Sequence, residues 1–255
     1  MAILKLTAQL SANASLSDTP AELSKSAYKA VSQITGDPDP YAQEKIRTNQ
    51  AVMQILPRLQ QITESSSDPL STAIHIAVAG NIIDLGIGHN FDLNKDIDAI
   101  IQMALAIDDT ESLRAQITPG IKILYLGDNA GEIVLDTILV NWLKQQGANL
   151  TFSVKSGPII NDATIHDARF AGLTDMVEVI ETGSDDIGVN WNNVSDQFRK
   201  TFESANIIIS KGHGNFETCD TRPENIYFLL KTKCQLVASE LNVPLGSIVF
   251  KHNNH

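Results

Sequence analysis

The chain has 255 residues, 43% hydrophobic and 19% charged, the make-up of a globular protein long enough for one large core or two modest ones. Against 19 Lys and Arg stand 30 Asp and Glu, a net charge of −11 that disfavours nucleic acid and anionic membranes as partners. A bound divalent cation reverses that sign locally, so an anionic small molecule stays open as a ligand.

The opening MAILKLTAQLSANAS is a poor signal peptide, and no stretch approaches the roughly 20 apolar residues of a membrane span. Hydrophobic spacing then predicts helices through about residue 118. AELSKSAYKAVSQI (21–34) is amphipathic and stops at Gly36-Asp37-Pro38-Asp39-Pro40. Residues 40–65 form one long helix with Pro57 as a kink or break. The next begins at Asp68-Pro69, Asp as N-cap and Pro at the first helical position, and is apolar nearly all round, hence buried. DIDAIIQMALAID (96–108) is a further helix, its start enriched in acid. DLNKDIDAIIQM (92–103) imitates a calcium loop at Asp92, Asn94 and Asp96, then fails, with Ile97 for the required Gly and Met103 for the required Glu.

From Ile121 the texture changes. IKILYL, LTFSVK, VEVI, NIIIS, QLVA and SIVF are short β-rich runs, with helical patterns at 132–146, 162–171, about 192–203 and 224–231. Such alternation predicts an α/β fold: a Rossmann-like three-layer domain with a mainly parallel sheet (119–255) behind an N-terminal α-helical domain (1–118). Ligands in these sheets bind beyond the C-terminal strand ends. Four polar clusters occupy those positions: GDNAGE, SGPIINDAT, TGSDD and KGHGNFET.

Asp128 and Asn129 after one strand, with Asp162 after the next, make a hard-oxygen set suited to Mg²⁺ or Mn²⁺, with Co²⁺ or Ni²⁺ as further options. Either cluster alone reads as an ordinary helix cap; two on adjacent strand ends, near Lys211, favour a metal. In KGHGNFET, the glycines let backbone N–H groups approach an oxyanion and Lys211 adds a point charge, so Lys211, Gly212, Gly214 and Asn215 are candidates for binding an anion. The segment is not a Walker A motif. Asn81 and Asp84 lie three apart on one face of an apolar helix; they either cap a neighbour or point into a site. His213 is a rim contact, its imidazolium form disfavoured by neighbouring Lys211. His75, His89 and His166 read as structural or exposed. Two cysteines, Cys219 and Cys234, are too few for a disulfide framework and fit no zinc spacing, which points to a reducing cytoplasm.

The ordered set DPY (39–41), DPL (68–70), GNIID (80–84), GDNAGE (127–132), the Asn161-Asp162 and Thr164 group, TGSDD (182–186), SKGHGNFET (210–218) and KCQLVA (233–238) resembles the DUF89, or ARMT1-like, family of metal-dependent damage-control phosphatases. The resemblance spans roughly 37–250. It implies a helical domain joined to a Rossmann-like one, with the active site between them. It implies a divalent cation on Asp128, Asn129 and Asp162, with Lys211 near the phosphate and Asn81 and Asp84 at the cleft. Asp128, Asp162 and Lys211 are then the catalytic set, acting on a small phosphorylated metabolite such as a sugar phosphate or a damaged phosphate ester. His213 departs from the family pattern, which commonly has Gln there, and the N-terminal CxxC of many members is absent. The alternatives are an S-adenosylmethionine-dependent carboxyl methyltransferase and a non-catalytic phosphometabolite-binding protein.

Overall fold

The computed structural model describes residues 20–82 and 101–253. Three helices come first: α1 (Pro20–Thr35), α2 (Ala42–Ser65) and α3 (Pro69–Ile82). On α2, Lys45, Thr48, Asn49, Val52, Ile55, Leu56, Leu59 and Thr63 are buried, a stripe at three- and four-residue spacing. Pro57 lies on the exposed face, so its missing N–H falls on the solvent side and the helix runs through it. Asp68 accepts from the Ser71 amide at 3.1 Å and caps α3 as expected, and Leu70, Ala73, Ile74, Ala77 and Val78 are all fully buried.

The remaining elements are β1 (Ile107–Asp108), α4 (Thr110–Gln116), β2 (Lys122–Leu126), α5 (Glu132–Gln145), β3 (Asn149–Val154), α6 (Ile165–Phe170), α7 (Leu173–Met176), β4 (Glu178–Glu181), α8 (Asp196–Ser204), β5 (Ile207–Lys211), α9 (Gly212–Cys219), β6 (Ile226–Lys231), α10 (Gln235–Glu240) and β7 (Ile248–His252). The strands make one sheet in the order β1-β7-β6-β5-β2-β3-β4, parallel throughout except where β6 meets β7. Alternate side chains feed two cores. Ile123, Tyr125, Ile207, Ile209, Tyr227 and Leu229 pack with α2, α3 and α5. Leu124, Leu126, Ile208, Ile226, Phe228 and Leu230 pack with Phe198, Phe202, Phe216 and Val237 of α8, α9 and α10. The α/β expectation with a mainly parallel sheet holds.

Three local expectations are corrected. Residues 226–231, expected as part of a helix, are the buried strand β6, held between β5 and β7. QLVA, expected as a strand, opens α10, where the Cys234 sulfur accepts from the Val237 amide and Leu236 is 74% exposed. Ile107 and Asp108, expected at the end of a helix, pair with Val249 and Phe250 instead. In each case a partner distant in sequence, or a cap, overrides local pattern.

Candidate functional site

The chain leaves β2 to build β3 and β4 on one side, then returns to lay β5 on the other. That reversal is the switch point where open α/β sheets bind ligands. The loop after β2 (Gly127–Gly131) and the start of α9 after β5 meet there. The contact is so close that a Cβ on Gly212, whose φ is +79°, would lie 1.9 Å from Asp128 Oδ2. Gly212→Ala is therefore expected to cost at least about 2 kcal/mol from the left-handed backbone alone, and to displace the Asp128 carboxylate. Thermal denaturation together with phosphate release checks both effects.

Asp128, Asn129 and Asp162 come together as the sequence predicts. Asn129 and Asp162 form an antiparallel bridge, the Ala163 amide donates to Asp128 O at 2.8 Å, and the Ala130 amide donates to Asn161 O at 2.9 Å. The Asn129 carboxamide donates through Nδ2 to Asp128 Oδ2 (3.2 Å) and Glu132 Oε1 (2.8 Å). Both N–H groups are thus engaged, and its carbonyl oxygen faces away, as a cation ligand requires.

Helix α2 braces this loop. Gly131 N donates to Asn49 Oδ1 at 2.6 Å, and Asn49 Nδ2 donates to Asp167 Oδ1 at 2.8 Å. Asp167 completes a capping box with Thr164. Gly131, with φ +79°, packs against Thr48, where a Cβ would lie 2.1 Å from Cγ2.

Three carboxylates crowd the centre. Burial lifts the Asp128 carboxyl well above the usual carboxylate range, and the charges of Glu132 and Asp162 add to the lift. Burial likewise pushes Asp162 up to about 6, with Lys155 opposing and Glu132 reinforcing the shift. An oxygen-rich, electron-pair-rich cluster of this kind fits a hard divalent cation, which would relieve the repulsion. The residues present thus suit a divalent cation of the Mg²⁺ or Mn²⁺ type.

The shift has a consequence for stability. A carboxyl whose folded pKa lies above its unfolded value favours the fold at low pH and loses that contribution as pH rises through the folded pKa. The cation-free protein should lose on the order of 2 kcal/mol through Asp162 between about pH 4 and pH 6, with Asp128 acting in the same direction. Asp68, Asp185 and Asp186 are held below the usual range and titrate beneath this window. Urea melts with and without a saturating divalent cation check the slope, which the cation should flatten.

Lys211 is fully buried. Its Nζ lies 2.7 Å from Asp136 Oδ1 and 3.5 Å from Glu132 Oε2, while Tyr125 OH donates to the same Asp136 oxygen at 2.8 Å. Burial works against its charge, but Asp136 and Glu132 outweigh it and raise its pKa. The ammonium is therefore fully enclosed, and contact with a phosphoryl oxygen requires the side chain or its cover to move. Asn215 Nδ2 donates to Gly127 O (3.1 Å) and Lys211 O (2.9 Å), tying the two loops together. Gly214 packs against Ile187 and Gly188.

Asp84 lies outside the described residues, as does the side chain of Asn81. The preceding Gly80 abuts Glu132, where a Cβ would stand 3.0 Å from Glu132 Cβ. The calcium-like segment 92–103 and His89 likewise fall largely or wholly outside the described residues.

Sequence reasoning missed Lys155, which is buried, 3.6 Å from Asp162 Oδ2 and bonded to the Gly188 carbonyl. Its place one residue past β3 was the available signal. Lys45, bound to Asp39 Oδ2 at 2.6 Å, also pulls on Asp162. In the TGSDD cluster, Asp185 and Asp186 hold Lys25 of α1. His213 is kept neutral by burial and by Lys233, not by Lys211. Cys219 is buried, its thiol pushed up to about 12, and His166 is exposed, both as expected.

The model of the damage-control phosphatase ARMT1-like domain matches residues 1–249, further toward the N-terminus than the motifs alone. The chain belongs to that family. It is 38% identical over 237 residues to a damage-control phosphatase of Archaeoglobus fulgidus, covering 91% of this chain and 82% of the relative. It is 35% identical over 224 residues to a damage-control phosphatase of Pyrococcus horikoshii, covering 87% and 77%. The crystal structure of a DUF89 family protein from Pyrococcus horikoshii superposes with a TM-score of 0.87 at 32% identity, covering 99% of this chain and 89% of that one. Within the family fold, the carboxylate cluster stands at the sheet's switch point. No helix among the described residues is long and apolar enough to cross a membrane.

Proposed function

We propose that the protein is a metal-dependent phosphomonoesterase for small phosphorylated metabolites, working in a cleft between the helical part (1–118) and the sheet part (119–255). The observation that carries this reading is the trio of half-buried Asp128 and Asn129 with buried Asp162, gathered beside buried Glu132 at the switch point so that the carboxylates repel one another. Family membership supports phosphate chemistry there.

When bound, a divalent cation such as Mg²⁺ or Mn²⁺ supplies Lewis-acid polarisation and charge for a phosphoryl oxygen. Asp128, Asn129 and Asp162 hold it. Glu132 keeps the Asn129 amide turned so that its carbonyl oxygen is offered. Lys155 balances Asp162 from the β3 side, and Lys211 balances Glu132 and Asp136 from the β5 side. The amides at Gly212 and Gly214, in the first turn of α9, would serve as donors to equatorial phosphoryl oxygens. Asn81 and Asp84 are assigned to substrate binding from the resemblance of GNIID to the family motif alone.

The test is a chelator-stripped enzyme given back Mg²⁺, Mn²⁺, Co²⁺ or Ni²⁺ and assayed on a panel of phosphate esters. Release of inorganic phosphate that returns with the ion is the expected result. If no ion restores release from any ester, the reading fails.

A further inference from the structure

We propose that His213, Glu217 and Cys234 form a second cation site, outside the oxygen-lined cleft, for a borderline-soft divalent ion of the Zn²⁺ type. One ring nitrogen of His213, one carboxylate oxygen of Glu217 and the Cys234 sulfur lie within 4.8 Å of one another. A tetrahedral zinc site with bonds of about 2.0–2.3 Å sets its ligand atoms roughly 3.3–3.8 Å apart, a spacing these side chains reach by small rotations.

Two elements build the cluster. His213 and Glu217 are four residues apart on α9 and so share a helix face. Cys234 arrives from the turn after β6. The same turn fixes the imidazole: in the tautomer protonated at Nε2, that N–H donates to the Lys231 carbonyl at 2.8 Å and leaves Nδ1 free to ligate. Backbone contacts of this sort orient metal-bound histidines.

The donor chemistry differs from that of the cleft. Nitrogen, sulfur and one carboxylate oxygen select Zn²⁺ or Co²⁺, whereas Asp128, Asn129 and Asp162 offer only oxygen and suit Mg²⁺ or Mn²⁺. Glu217, Asp220 and Glu240 stand close enough for their carboxyls to repel one another, which offsets the Lys233 charge beside His213. Partial exposure of the three ligands gives an ion entry and leaves a fourth position to water. Cys219, fully buried, offers no comparable sulfur. An ion here would clamp the turn carrying Lys233 to α9, whose first residue, Gly212, walls Asp128.

The test is spectroscopic and needs no substrate. Chelator-stripped full-length protein is titrated with Co²⁺, and the sulfur-to-cobalt charge-transfer band in the near ultraviolet is followed. With the cleft first filled by excess Mg²⁺, we expect a band that saturates at one equivalent of Co²⁺ and bleaches on adding Zn²⁺ but not on adding more Mg²⁺. It should persist in Asp128→Ala, which removes the cleft ligand, and vanish in Cys234→Ser. Serine keeps an acceptor for the Val237 amide, and His213→Ala and Glu217→Gln provide independent checks by weakening Co²⁺ binding at least tenfold. Absence of a thiolate band overturns the proposal, as does a band that survives Cys234→Ser or is lost in Asp128→Ala.

Discussion

Replacing Asp128 or Asp162 with alanine should lower phosphate release by about 100-fold or more, several kcal/mol of barrier, at any ion concentration that saturates the wild type. The two carboxylates share one site, so the double variant should be scarcely slower than either single one. The stability readout should differ between them. Asp128→Ala removes a negative charge that Glu132 and Asp162 repel, so without the cation it should melt no lower than the wild type, whereas Asp162→Ala also strands the buried Lys155 and should melt lower. In the presence of the ion the wild type should melt above both, because only the wild type gains binding free energy. Calorimetry with and without ion, beside phosphate release, separates a site that has lost its cation from a fold that has failed. Full activity in Asp128→Ala would remove the basis of the proposed mechanism.

Lys211→Met should be the most destabilising single change at the site, costing about 3–5 kcal/mol, because it strands Asp136 in a fully buried position. Asp136 already has one oxygen, Oδ2, without a partner, and its carboxyl is pushed up to about 6, by burial first and by the Glu132 charge, against the pull of Lys211 and Tyr125. Lys211→Met with Asp136→Asn takes out both charges and leaves an acceptor for Tyr125 OH. It should recover more than half of the loss, measured as a double-mutant cycle in urea. The recovered protein also tells what the lysine does. If Lys211 only balances the carboxylates, the double variant retains substantial phosphate release and its KM is little changed. If the ammonium moves to the phosphoryl group, KM rises and release falls even though the fold is restored.

What could be read beforehand depended on whether a residue's role is local. Asp128, Asn129 and Asp162 follow strands, and strand ends of a parallel sheet face one rim, so their convergence was legible. The same holds for the Asp68 cap and the apolar α3. Asp136 was not legible as the partner of Lys211, since 75 residues separate them and the aspartate sits amid an apolar helix. Lys155 was hidden because a lysine closing a strand is commonly a solvated end, and only the fold of the 156–164 loop turns it onto Asp162. IYFLLK gave no period at all; a continuous apolar run suits a central strand and a buried helix equally. QLVA failed for the opposite reason, being too short for a 3.6-residue period to show.

The place of β7 in the sheet sets an order on synthesis. It lies between β6 and β1, and among the described residues β1 has no other strand beside it. Ile107 and Asp108 leave the ribosome about 140 residues before Val249 and Phe250 do, at ~5–20 residues per second an interval of roughly 7–28 s. β5 is complete only at Lys211 and β6 only at Lys231, so the four strands β2 to β5 can assemble with the carboxylate loops in register over the last ~40 residues of that interval, and β6 carries a bare, strongly apolar edge over the last ~20. The nascent chain is thus able to bind its cation before its sheet is finished, and most prone to self-association in the seconds just before β7 slides into place.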